Sequence, residues 1–127
     1  MSYQGIVAFS ISVPYERGRA STVHLDEFLS KLQENRVKLR AISGFISGRR
    51  ISIFCLPKDA DKFREFLKSA KVRAKEVTGF EITKEKTVDR VVSILAKISL
   101  SGFALCGFDG FGASNKAGGF IWSEVKH

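Results

Sequence analysis

With 127 residues, the chain has room for one domain with a core of its own or for two small half-domains. A hydrophobic content of 44%, including eleven Phe, excludes a disordered chain, and no apolar run is long enough to span a bilayer. The net charge of +8 is concentrated: Arg36 to Lys75 holds twelve Lys/Arg against three acids, so an anionic partner has to be considered there.

Taken in chain order, Val7, Phe9, Ile11 and Val13 alternate with Ala8, Ser10 and Ser12, predicting a strand over Gly5–Val13. Pro14–Ala20 reads as a loop. Ser21 or Thr22 can cap a helix that runs to about Asn35, with Leu25, Phe28, Leu29 and Leu32 on one side. Lys38–Ser47 and Arg50–Leu56 read as a hairpin turning at Ser47-Gly48-Arg49, with Leu39, Ala41 and Phe45 on alternate positions. Asp59 opens a second helix to Ala70, and Lys75–Thr83 is the next strand. Thr87 caps a third helix carrying the stripe Val88, Val91, Val92, Leu95 and Ile98, and Gly102 stops it. Phe103–Phe108 and Gly119–Val125 read as the last strands, with Gly110–Gly118 as a flexible turn between them.

The start Ser-Tyr-Gln-Gly after Met1 lacks the basic segment and apolar run of a signal peptide. Cys55 and Cys106 sit in apolar runs and read as buried free thiols, and the only histidines are His24 and His127. A reducing cytoplasm is expected, with no metal, no cofactor and no membrane contact.

The order β-α-β-β-α-β-α-β-β predicts an α+β fold. It is a two-layer sandwich, ferredoxin-like βαββαβ followed by αββ, with helices on one face of a six-stranded sheet. The opposite face carries Ser10, Ser12, Arg40 and Thr78, and also Ile42 and Ile121, which a second copy of the chain can cover. At an offset of 66 residues the chain repeats itself. Leu25 falls on Val91, Leu29 on Leu95, Leu32 on Ile98, Leu39 on Leu105, and Ser43-Gly44-Phe45 on Asp109-Gly110-Phe111.

This repeated unit resembles a tandem of ACT domains, ferredoxin-like regulatory modules that usually bind amino acids or other small ligands, often where two units pair. The resemblance implies a first unit over residues 1–74 (β-α-β-β-α) and a truncated second unit over 75–127 (β-α-β-β), packed as one module. The family's glycine-bearing turn after the first strand matches Glu16-Arg17-Gly18-Arg19-Ala20, with Gly18 at the glycine position and Arg17 where a proline is usual. The second unit has Lys84-Glu85-Lys86-Thr87 there, without glycine, so the resemblance places the ligand site in the first unit.

The candidate ligand-binding residues are therefore Tyr15, Glu16, Arg17, Gly18, Arg19 and Ser21. Gly18 lets backbone approach a ligand, and the two arginines suit a carboxylate or phosphate. The glycine-rich segment offers a possible flap at Asp109, Gly110, Phe111 and Asn115. Arg36, Lys38, Arg40, Arg49 and Arg50 form a possible basic surface. An RNA-binding sheet would need stacking aromatics, yet Lys116–Ser123 places only Phe120 correctly and has Gly118 and Ser123 at the other positions. No catalytic constellation stands out: His24, beside Asp26 and Glu27, reads as a surface histidine. Three readings remain open. They are a small-molecule regulatory module that forms a homodimer, a nucleic-acid binder using the basic stretch, and a ligand-free assembly subunit. No enzymatic activity is expected.

Overall fold

Side-chain alternation and helix caps set the elements. The structure is a computed structural model and describes residues 5–14, 23–102, 104–114 and 116–124. In order the elements are β1 (Ile6–Pro14), α1 (Val23–Glu34), β2 (Leu39–Ser47), β3 (Arg50–Pro57), α2 (Ala60–Ala70), β4 (Lys75–Glu85), α3 (Val88–Leu100), β5 (Leu105–Ala113) and β6 (Lys116–Glu124). Asp59 caps α2 by accepting the Lys62 N–H at 3.1 Å, and Thr87 caps α3 by accepting the Arg90 N–H at 3.3 Å. Gly102, at φ 90°, follows α3 as the expected stop. The first two helices end differently. Arg36 (φ 52°) and Lys71 (φ 56°) occupy the left-handed positions that glycine usually fills, at a cost of roughly 1 kcal/mol each.

Contacts divide the described residues into two compact units: Ala8–Glu76, and residues 77–124 together with 5–7. In the first, the strands lie in the order β2-β3-β1, antiparallel throughout, with Ile11 opposite Ile53 and Gly44 opposite Ile53 on the other edge. Phe9 and Ile11 of β1 and Ile51, Ile53 and Cys55 of β3 face Phe28 and Leu32 of α1 and Phe63, Phe66 and Leu67 of α2. Both helices thus cover one sheet face. The Phe9 and Phe63 rings meet at 4.8 Å between centroids. Burying each such side chain contributes about 1.5–3 kcal/mol.

The second unit orders its strands β4-β6-β5, again antiparallel. Phe80 and Ile82 of β4 and Ala117 and Ile121 of β6 pack beneath Val91 and Ile94 of α3. Several expectations fail here. Ile121 is fully buried in this core instead of facing outward. Of the expected inward stripe, Val91 is buried and Leu95 and Ile98 pack against the same core, whereas Val88 and Val92 are 45% and 56% exposed. Gly110–Gly118 is not a flexible turn. Gly110 pairs with Gly119, Phe111 with Gly118 and Gly112 with Ala117, so both strands run nearly to the tip.

The repeat seen in sequence is a repeat in geometry. The offset of 66 carries β2 (Leu39–Ser47) onto β5 (Leu105–Ala113) residue for residue. It carries the Gly44–Ile53 pair onto Gly110–Gly119, and the register shift between Leu39 and Ala41 onto the one between Leu105 and Gly107. That bulge re-aims the strand after it. Leu39 therefore does not share a face with Phe45, whereas Ala41, after the shift, does. Ile42, which had been assigned to the opposite face, turns toward α1, while Phe45 stacks on Phe54 with centroids 5.8 Å apart. The architecture is α+β and ferredoxin-like.

Candidate functional site

Of the residues singled out by sequence, Tyr15, Glu16, Arg17, Gly18, Arg19, Ser21 and Asn115 lie outside the described residues. Asp109, Gly110 and Phe111 lie in β5, paired with β6. The basic residues do not form one surface. Arg36 and Lys38 precede β2, Arg40 sits at its bulge, and Arg49 and Arg50 follow it. A nine-residue strand, about 30 Å long, separates the two groups. Arg50 is engaged locally: its Nε donates to Ser12 Oγ at 2.6 Å and one terminal nitrogen donates to the Ser12 carbonyl at 3.0 Å.

An apolar groove of about 460 Å³ opens in the first unit between α1 and β2. Leu25 and Leu29 form the helix wall, Ile42, Gly44 and Ile46 the edge-strand wall, and Ile51 and Ile53 the floor. Sequence reading placed Leu25 and Leu29 on one helix side and Ile42 on the opposite sheet face, without seeing the space between α1 and β2. At Gly44 the helix stands away from the strand. A Cβ built there would meet only the Ser52 carbonyl oxygen, at 3.5 Å, with no side chain of α1 near it. Ile46 (55% exposed) and Phe45 (46%) rim the opening on an edge strand.

The second unit has the same glycine and no such opening. At Gly110 a Cβ would meet Val91 Cγ1 at 3.3 Å, and at Gly112 it would meet Val88 Cγ2 at 2.7 Å. There α3 lies directly on the glycines. The same strand position thus holds open space in one unit and a helix contact in the other. The available signal was the repeat itself: Gly110 and Gly44 are in step, and the helix residues above them differ, Val91 replacing Leu25.

Two titratable groups are perturbed near these elements. Burial pushes the Asp109 carboxyl above its usual range, and the hydrogen bond it accepts from the Phe120 N–H works in the opposite direction. Burial pushes the Cys55 thiol up to about 12, which keeps it neutral within the first core. Cys106 is half-buried, and both cysteines are free thiols.

No protein-family model matches the sequence, and no curated protein matches it. Solved structures do. Protein BT0572 from Bacteroides thetaiotaomicron is similar over 97% of this chain and 82% of its own, with a TM-score of 0.71 at 18% identity. The regulatory subunit of aspartate kinase from Thermus thermophilus, in its ligand-free form, is similar over 94% of this chain and 84% of its own, at TM-score 0.56 and 13% identity. Aspartate kinase from Clostridium acetobutylicum, an allosteric enzyme, is similar over 96% of this chain at TM-score 0.57 and 15% identity, and the match spans 30% of that enzyme. The fold is ACT-like.

This likeness extends over nearly the whole chain and so covers both units. Among the described residues no group of three or more His, Cys, Asp or Glu is placed to hold a metal ion, and no helix is long and apolar enough to cross a membrane. What the first unit presents is an apolar recess beside an edge strand, suited to taking up the side chain of a small molecule.

Proposed function

We propose that the chain is a regulatory module whose first unit binds a small molecule of the amino-acid class, with its apolar part in the groove between α1 and β2. The observation that carries this is the space over Gly44, which the second unit fills with Val91 over Gly110. The likeness to aspartate kinase regulatory domains supports the regulatory role. Tyr15, Glu16, Arg17, Gly18, Arg19 and Ser21 lead by chain into α1, whose Leu25 lines the groove, and supply the polar end of the site. The proposal includes no catalytic step. Its boundaries follow the two repeats, 1–74 and 75–127. A homodimer completes it: a second copy laid along β2 would cover Phe45 and Ile46 and close the recess. The two free thiols suit a reducing cytoplasm.

The test is a thermal-shift and calorimetric survey of the twenty amino acids against the purified protein and its Gly44→Val variant. A β-branched residue suits a strand and fills the recess. One apolar amino acid should raise the melting temperature of the wild type, since a ligand selective for the native state stabilises it by mass action. The variant should fold and not respond. Equal responses in both proteins would remove the groove from the site.

A further inference from the structure

At the far end of β2 from the hairpin turn, the first unit contains a second recess, of about 540 Å³, between the C-terminal end of α1 and the first two turns of α2. Arg36, Lys38, Lys58 and Lys62 line it, half-buried Val37 supplies apolar surface, and Phe63 and Phe66 of the core lie beneath. We infer that this recess is a binding site for a phosphorylated small molecule with an apolar or aromatic body, separate from the groove over Gly44.

Three observations converge on that chemistry. The first is charge. The lining has four cationic side chains against two carboxylates, Asp59 and Glu65, a net of +2. A phosphate monoester carries close to two negative charges at neutral pH. The second is availability. Among the described residues, none of the four lining cations takes part in a side-chain hydrogen bond or ion pair, unlike Arg64 and Arg90. Lys58 and Lys38 are brought side by side by their backbones, the Lys58 N–H donating to the Lys38 carbonyl at 3.0 Å. Asp59 already occupies the first-turn amide of Lys62, so side chains, not helix amides, would hold the phosphate.

The third is the position of Arg36. It holds a left-handed backbone (φ 52°) directly after α1, where glycine would fit without strain. An arginine at that position brings a cationic side chain to the recess where the usual glycine would bring none. The size also fits. The volume lies in the range of small-molecule sites, and half-buried Val37 with the aliphatic stems of the lining lysines gives an apolar body something to lie against.

Arg36 makes the test clean, because Arg36→Gly removes the charge and relieves the backbone together. Calorimetry with AMP and with inorganic phosphate would be run on the wild type, Arg36→Gly and Lys62→Gln. AMP should bind at least tenfold more tightly than phosphate, and each substitution should weaken it about tenfold. The melting temperature of Arg36→Gly without ligand should be unchanged or higher. Unaltered AMP affinity in both variants, AMP no tighter than phosphate, or no AMP binding at millimolar concentration would each overturn the inference. A twelve-nucleotide single-stranded RNA that binds with a steep salt dependence while AMP is inert would overturn it in favour of a nucleic-acid surface. The groove survey with Gly44→Val reads a different recess, so either site can fail without the other.

Discussion

Asp109 and Phe120 face each other across the β5–β6 hairpin, and Asp109 Oδ1 accepts the Phe120 backbone N–H at 3.1 Å. Burial nevertheless dominates and raises the carboxyl's pKa above its ordinary value of 3.8. The folded state therefore holds this proton more tightly than the unfolded state does. By linkage, stability is lost as pH rises through the raised value and is regained below the ordinary one. Asp109→Asn keeps an acceptor oxygen for Phe120 and removes the charge. It should raise the melting temperature at pH 7 and leave it unchanged near pH 3. A variant less stable than wild type at pH 7 would mean that the charged hydrogen bond outweighs the burial.

Gly119 leaves no room for a side chain. A Cβ there would collide with the Asp109 carbonyl oxygen, and at Gly118 a Cβ would lie 2.6 Å from the Ile82 carbonyl oxygen. These obstacles are backbone and cannot turn aside. Gly110 is milder, since its nearest neighbour is the Val91 methyl at 3.3 Å. Chemical denaturation should rank the alanine variants accordingly. Gly119→Ala and Gly118→Ala should lose about 3 kcal/mol or fail to fold, and Gly110→Ala should lose about 1 kcal/mol or less. Equal costs at all three would indicate that the hairpin relaxes freely.

Those glycines also show where sequence reading went astray. Dense glycine reads as a flexible turn because glycine is permissive, yet Gly118 and Gly119 are there because neighbouring backbone excludes a side chain. The repeat already contained the correct answer, since it lays Gly110–Gly119 on the paired strand residues Gly44–Ile53. Helices and strands bounded by caps and alternation, such as α2 after Asp59 and α3 after Thr87, were legible because their signals are local. The groove over Gly44 was not. It depends on how far α1 stands from β2, which no periodicity encodes. The cluster of Arg36, Lys38, Lys58 and Lys62 was half legible: the basic stretch was plain, but only the fold separates these residues from Arg49 and Arg50.

The two cysteines should differ in reactivity. With its pKa pushed up to about 12 by burial, Cys55 is on the order of 0.01% thiolate at pH 8, and it is enclosed as well. Alkylation of the native protein at pH 8 should therefore modify Cys106 first. Cys55 should react only at the rate of unfolding and become equivalent in denaturant. Mass spectrometry of digested samples over time distinguishes the two sites. Early labelling of Cys55 would show that the first core opens readily.

Arg64 links α2 to the start of β4. It donates to Asp61 at 2.7 Å and to Glu76 at 2.6 Å, and its guanidinium lies 5.8 Å from the centroid of the Phe9 ring. The bond to Glu76 is the main reason its pKa is raised. Short distances do not make this a strong contributor, because the three side chains keep about half or more of their surface in water: 43% for Arg64, 50% for Glu76 and 89% for Asp61. Exposed ion pairs are typically worth less than about 1 kcal/mol and are screened by salt. Arg64→Gln should therefore lower the urea midpoint only slightly at low ionic strength, with most of that difference gone at molar salt. A loss that persists at high salt would assign the effect to the arginine stem packed over Phe9 instead of to its charge.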